Sequence, residues 1–193
     1  MIDFLNSIDT AIFLFINSFF FSWLNPVMVK VSGQLIWMPV IACALYLGFK
    51  EFGKRNVLIF ALFILLAIIS ADITSSQIMK NIFARLRPCR QDDLINLINH
   101  FGQKCGGRYG FVSSHASNTF AATIFIINTL KVSRRTKIIA LFFPVLVSYS
   151  RIYLGVHFPG DIIGGTSVGI FWGLMFAWAF KNIQGASLDN SQL

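Results

Sequence analysis

Charge is scarce in this chain. Only 12% of its 193 residues are Asp, Glu, Lys or Arg, while 55% are hydrophobic. A soluble domain carries roughly 25% charged residues, so a soluble globular fold is excluded. Mean hydropathy is +0.68. The N-terminus, Met1-Ile2-Asp3-Phe4, lacks a basic region and a small-residue cleavage site, which argues against a signal peptide. There is no internal repeat, low-complexity tract or linker, so the chain reads as one domain over residues 1–193. No His, Asp or Glu spacing matches a dedicated metal cage.

What is present comes in apolar blocks. Residues 34–49, 57–78, 116–130, 138–153 and 162–180 are candidate membrane spans. Some are shorter than the ~20 residues of a straight crossing, so their ends must run into flanking residues. Residues 1–33 are apolar but broken by Asn17, Asn25, Pro26 and Lys30. A sixth crossing or a pair of interfacial helices fits them equally well. The expected fold is an all-α polytopic bundle with five to six transmembrane helices. An extracytoplasmic helical loop segment interrupts it, and residues 34–180 form the core.

The net charge of +8 sits in short clusters between these blocks. Lys50, Lys54 and Arg55 form one cluster, Lys131, Arg134, Arg135 and Lys137 another, and Lys181 follows the last span. All three fall on one side, which the positive-inside rule makes cytoplasmic. The charges are therefore topology signals, and nucleic acid is not an expected partner. The polar segment 81–114 is then extracytoplasmic. It nevertheless carries Arg85, Arg87, Arg90 and Arg108, against the topology bias, and a bound anion would account for them.

Three stretches at that outer level bear chemistry. In the first, Lys80 and Arg87 are seven residues apart, close to two helical turns, with Pro88 expected to end the helix. Two cations on one face suit a phosphate, which the Arg fork can hold bidentately. Snorkelling towards headgroups is the plainer reading. In the second, Ser113, Ser114 and His115 open a span, where free backbone N–H groups make an anion site; a simple cap is the alternative. In the third, Ser150 and Arg151 precede His157, and Asp161 follows four residues later, within reach of one ring nitrogen. That spacing fixes a tautomer and raises the basicity of the other nitrogen. Taken together, ionisable groups at one membrane depth point to a functional site.

These stretches resemble the signature of the type 2 phosphatidic acid phosphatase family, which is similar to the vanadium haloperoxidases. The pattern is Lys-x6-Arg-Pro, Pro-Ser-Gly-His, then Ser-Arg-x5-His-x3-Asp. Lys80, Arg87 and Pro88 match the first, and Ser150, Arg151, His157 and Asp161 the third. The second matches only at Ser113 and His115, with Val112 for Pro and Ser114 for Gly. The resemblance implies His157 as nucleophile forming a phosphohistidine, Asp161 as its orienter and His115 as general acid. It makes Lys80, Arg87, Ser113, Ser114 and Arg151 the phosphate-binding set, with no metal and no other cofactor. It further implies a phospholipid or isoprenoid-lipid phosphate substrate taken from the bilayer. The expected setting is the bacterial inner membrane with an extracytoplasmic site, where undecaprenyl diphosphate and lipid A are the favoured substrates. Phosphatidate and phosphatidylglycerol phosphate are further candidates. A vanadate-dependent haloperoxidase and a non-catalytic lipid-phosphate binder or transporter are the rival readings.

Asp72, within a span beside Ser70, Thr74, Ser75 and Ser76, is expected to face the bundle interior as a hydrogen-bond partner or a support to the site. Cys43 reads as packing. Trp23, Trp37, Trp172 and Trp178 read as interface anchors or packing. Cys89 and Cys105 both lie in the outer segment, where an oxidising compartment would let them pair. The closed loop would be worth roughly 3 kcal/mol. It would also tether Arg87 to the Ser113–His115 turn. Between the cysteines, Leu94, Ile95, Leu97, Ile98 and Phe101 form a helical apolar pattern.

Overall fold

The computed structural model describes residues 2–19, 21–99 and 105–189. Its elements in order are α1 (Ile2–Ser18), α2 (Asn25–Ser32), α3 (Trp37–Asp72), a π-helical stretch (Ile73–Met79), α4 (Lys80–Phe83), α5 (Ser114–Thr129), α6 (Arg134–Tyr153) and α7 (Pro159–Asp189). Among the described residues no strand forms, only an isolated antiparallel bridge between Leu86 and Tyr109.

α3 is two helices in one. Gly53 has φ 75°, the left-handed region, and the chain reverses there. A side chain on Gly48 would lie 2.8 Å from the Phe60 ring. In a straight helix those residues would be roughly 18 Å apart. Three helical stretches are long and apolar enough to cross a membrane, namely Trp37–Phe83, Arg134–Tyr153 and Pro159–Gln184. The reversal divides the first into two crossings. α5 supplies the fifth apolar segment. Its 16 residues are short for a crossing, but it is enclosed by its neighbours, with Ala116, Ser117, Phe120, Ala121 and Phe125 all buried. Gly165, Gly169 and Gly173 allow α7 to lie directly on it. A Cβ at either of the first two would strike the carbonyl oxygen of Ser113 or Ser117. Small residues at such spacing give close helix contact where lipid provides no hydrophobic drive.

The two ends of the bundle differ. At one end the Glu51 carboxylate accepts the Lys131 N–H at 2.9 Å, joining the 50–56 and 130–133 turns. Beneath it Phe52, Phe60, Phe63 and Phe125 each pack edge to face on Phe180, Phe52 at 5.3 Å between ring centroids. At the other end α1 lies across the 152–160 loop. Asp9 accepts the Gly160 N–H at 2.8 Å, Phe13 packs on Phe158 at 5.2 Å, and Asn17 donates to the Tyr153 carbonyl at 2.9 Å. These contacts follow one another along α1 but all fall on a single loop. The helix therefore crosses the end of the bundle rather than running along it.

Candidate active site

The site is assembled at the α1-covered end. The expected helix from Lys80 to Arg87 does not form. It stops at Phe83, because Ala84 turns left-handed with φ 44°. Arg87 instead lies in extended backbone, held by the Leu86–Tyr109 bridge and by the Gly110 N–H donating to the Arg85 carbonyl at 2.8 Å. Lys80 and Arg87 thus reach the same site from a helix end and a strand-like segment, not from one helical face. Pro159 begins α7, and Ser113 immediately precedes α5.

His157 is 1% exposed at the centre. Its Nδ1 lies 3.2 Å from Asp161 Oδ2, and its Nε2 lies 3.1 Å from Arg87 Nη1. An ionised carboxylate only accepts and a guanidinium only donates, which assigns the tautomer: the hydrogen is on Nδ1 and the lone pair on Nε2. The Nε2 lone pair therefore points among the cations. Burial, reinforced by Arg87, Arg151 and Lys80, pushes the His157 pKa well below its ordinary value, so the ring is neutral. A neutral imidazole whose unprotonated nitrogen lies in a cationic pocket is chemically a nucleophile for phosphorus once a phosphate takes over the Arg87 N–H.

Lys80 Nζ donates to Ser114 Oγ at 2.7 Å, bringing the first and second stretches together. Ser113 N–H donates to the Asp161 carbonyl at 2.9 Å, joining the second to the third. Arg87 is 7% exposed and also donates from Nε to the Tyr109 carbonyl at 3.1 Å. Arg151, 9% exposed, bonds Ser32 Oγ through Nη1. Ser113 Oγ and Arg151 Nε are buried without a hydrogen-bond partner among the described residues. Such groups are costly unless an acceptor or donor meets them, and a phosphate oxygen would. His115 enters from the first turn of α5 and lines a cavity beside this cradle. All eight residues expected to carry the chemistry therefore converge. Arg90 and Arg108 do not, being exposed on the 81–114 segment.

Two participants escape sequence reasoning as site residues. Arg85 Nη1 bonds Asp161 Oδ1 at 3.2 Å and Asp9 Oδ2 at 2.7 Å, while its guanidinium stacks 4.2 Å above the Phe158 ring. Asp9 also holds the Gly160 N–H. A chain of contacts thus runs Asp9–Arg85–Asp161–His157. Arg85 stood out only as one arginine among several, and nothing in the sequence singled out Asp9. Asp161 Oδ2 further accepts the Phe158 N–H at 3.0 Å. Gly110 leaves room for that carboxylate, since a Cβ there would come within 2.7 Å of Asp161 Oδ2.

Cys89 and Cys105 form a disulfide with Cα atoms 6.0 Å apart. Between them, residues 92–97 form hydrogen-bonded turns, and Leu94 and Ile98 are buried in one apolar cluster with Phe13 and Cys89. Phe101, which would continue that pattern, lies outside the described residues. Cys43 is free and exposed on the apolar exterior. Trp172 donates to Thr74 Oγ1 at 3.0 Å, whereas Trp23 and Trp178 are exposed.

The sequence profile of the PAP2 superfamily matches residues 57–184. The chain belongs to this superfamily. Among relatives of the PAP2 chain, a lipid A 4'-phosphatase from Bacteroides thetaiotaomicron is 35% identical over 180 residues, covering 91% of this chain and 78% of that protein. An undecaprenyl-diphosphatase from Sulfolobus acidocaldarius is 30% identical over 168 residues, covering 83% and 73%. The crystal structure of a transmembrane PAP2-type phosphatidylglycerolphosphate phosphatase from Bacillus subtilis has the same fold, with a TM-score of 0.73 at 24% identity over 93% of this chain and 87% of that one. This PAP2 protein is an integral-membrane lipid phosphatase, a phosphoric ester hydrolase.

Proposed function

We propose that the protein removes a phosphate from a lipid by way of a phosphohistidine on His157, working at the outer face of the bacterial inner membrane, with the 4'-phosphate of lipid A as the favoured substrate. The observation that carries the mechanism is the buried His157 held between Asp161, 3.2 Å from Nδ1, and Arg87, 3.1 Å from Nε2.

In this reading Lys80, Arg87 and Arg151 neutralise the phosphoryl oxygens, and Ser113 and Ser114 add donors. Phosphoryl transfer needs positioning and charge neutralisation above all, and three fixed cations supply both. Nε2 forms a bond to phosphorus as the bond to the lipid oxygen breaks, and His115, protonated once the bound phosphate offsets the surrounding cations, gives that oxygen its proton. Water then attacks the phosphohistidine and passes a proton to His115. Inorganic phosphate leaves and both histidines return to their starting state. Asp161 stabilises the Nδ1–H while positive charge builds on the ring.

The outer face is supported by the exposed Lys and Arg clusters at the opposite end and by the disulfide at this one. Lipid A is supported by the likeness to the lipid A 4'-phosphatase from Bacteroides thetaiotaomicron at 35% identity. The test is phosphate release by purified protein across four lipids: lipid A, undecaprenyl diphosphate, phosphatidate and phosphatidylglycerol phosphate. Lipid A should be hydrolysed with the highest kcat/KM. Activity should survive a chelator and be inhibited by vanadate; loss to chelator with rescue by magnesium would contradict this mechanism.

A further inference from the structure

The cavity beside the phosphate cradle has a volume of about 360 Å³ and is lined by Trp37, Ile68, Asp72, Ser114, His115 and Asn118. The mechanism accounts for only two of these residues. In phosphoryl transfer the attacking and leaving atoms stand roughly in line across phosphorus. The proton donor must touch the leaving oxygen. If His115 is that donor, as the proposed function holds, the lipid alcohol departs into the cavity that His115 lines. The cavity lies next to the cradle, since Ser114 borders it and also bonds Lys80.

The polar wall of this cavity is specific. Asp72 Oδ1 accepts from Asn118 Nδ2 at 2.9 Å, and its Oδ2 accepts from Ser76 Oγ at 3.1 Å. Among the described residues it has no salt-bridge partner. A carboxylate retained inside an apolar span is costly and points to use. Among the described residues Oδ1 receives the one hydrogen bond from Asn118, and Oδ2 shares the Ser76 hydroxyl with the Asp72 backbone carbonyl at 2.6 Å, so both oxygens have capacity for another donor. Asn118 lies three residues after His115, on the same face of α5. Trp37 and Ile68, the latter one turn before Asp72 on the same helix, complete the lining with apolar surface, as suits an amphiphile entering from the bilayer.

We infer that Asp72 and Asn118 form a leaving-group subsite that selects lipid phosphomonoesters whose alcohol carries further hydroxyl or amide N–H groups, such as an acylated sugar, and rejects lipid diphosphates. A sugar alcohol leaves as a neutral group and offers hydrogen-bond donors to the carboxylate. A diphosphate leaves as a lipid monophosphate, whose negative charge would face Asp72. Juxtaposed like charges discriminate strongly between partners. Asp72 thereby narrows the choice between the two substrate classes of the relatives compared above.

The experiment measures kcat/KM of the wild type and of Asp72→Asn on lipid A and on undecaprenyl diphosphate. The wild type should prefer lipid A. Asp72→Asn removes the charge but keeps a side chain of the same shape. It should move the monoester-to-diphosphate ratio towards diphosphate by roughly tenfold or more. Asn118→Asp, which adds a second carboxylate, should move the ratio the opposite way and carries the test if Asp72→Asn does not fold. A ratio within roughly threefold of wild type in the folded variants would overturn the subsite. A wild type that hydrolyses neither lipid would instead overturn the reading on which the subsite rests.

Discussion

The two ends of the bundle treat charge in opposite ways. At the Phe-rich end, Lys50, Lys54, Arg55, Lys131, Arg134, Arg135 and Lys181 are exposed. At the α1-covered end, Arg87 and Arg151 are buried, Lys80 and Arg85 are half-buried, and each bonds a named group. Composition counts both sets alike. Only burial separates a cation that marks topology from one that meets a ligand. Exposed charges contribute little to a fixed geometry, whereas enclosed ones act at low dielectric and shape the pKa of their neighbours.

That contrast breaks most sharply at His157. His157→Ala should lower turnover at least roughly 1,000-fold, as loss of a nucleophile does, while the protein still inserts and elutes as a single species. Turnover within tenfold of wild type would remove His157 from the chemistry. His115→Ala should also be severe, but least so with substrates carrying a good leaving group, which need no proton. Equal losses across leaving groups would deny it the role of acid.

The next test concerns the contacts that position His157. Asp9→Ala and Arg85→Ala should each lower kcat/KM roughly tenfold, because a ring held loosely spends less time in line. A purely structural role would leave the titration of His157 untouched. A positioning role should shift it, as read by histidine NMR of the substrate-free protein.

The same titration gives the pH prediction. Burial first, then Arg87, Arg151 and Lys80, oppose the imidazolium, so His157 should stay neutral well below the free value of ~6.5. The unfolded chain takes up this proton near that value and the folded protein does not. Stability should therefore fall as pH drops below it. A midpoint at or above 6.5 would contradict the arrangement of cations around the ring.

Much of this was legible in the sequence, and the exceptions have physical causes. The five apolar segments are uniform enough to read directly despite the shortness of some, and His157 and Asp161 are close because they are four residues apart where α7 begins. The path from Lys80 to Arg87 was misread because helical periodicity says nothing about Ala84, whose left-handed turn is stabilised by pairing with the distant 109–110 segment. Asp9 was missed for a related reason. It acts 151 residues away from Gly160, and no local pattern reports a partner at that distance. Asp72 was legible as an inward-facing carboxylate, but the cavity it lines exists only once α3 and α5 are packed.

The smallest effects are expected at the exposed end. Lys54→Ala and Arg55→Ala should leave turnover within roughly twofold of wild type, as surface changes away from a site do. A loss comparable to that of Arg85→Ala would erase the distinction between the two ends. Thiol labelling of unreduced, denatured protein should modify Cys43 alone; three reactive thiols would remove the disulfide and weaken the outward orientation.

The central claim is that the enclosed cations present phosphorus to Nε2 of His157, and rapid quench of the enzyme with a phosphorus-labelled lipid phosphate tests it directly. The account predicts a transient, acid-labile and alkali-stable label on Nε2 of His157 that is absent from His157→Ala. A label on another residue, or formed equally in His157→Ala, would contradict it.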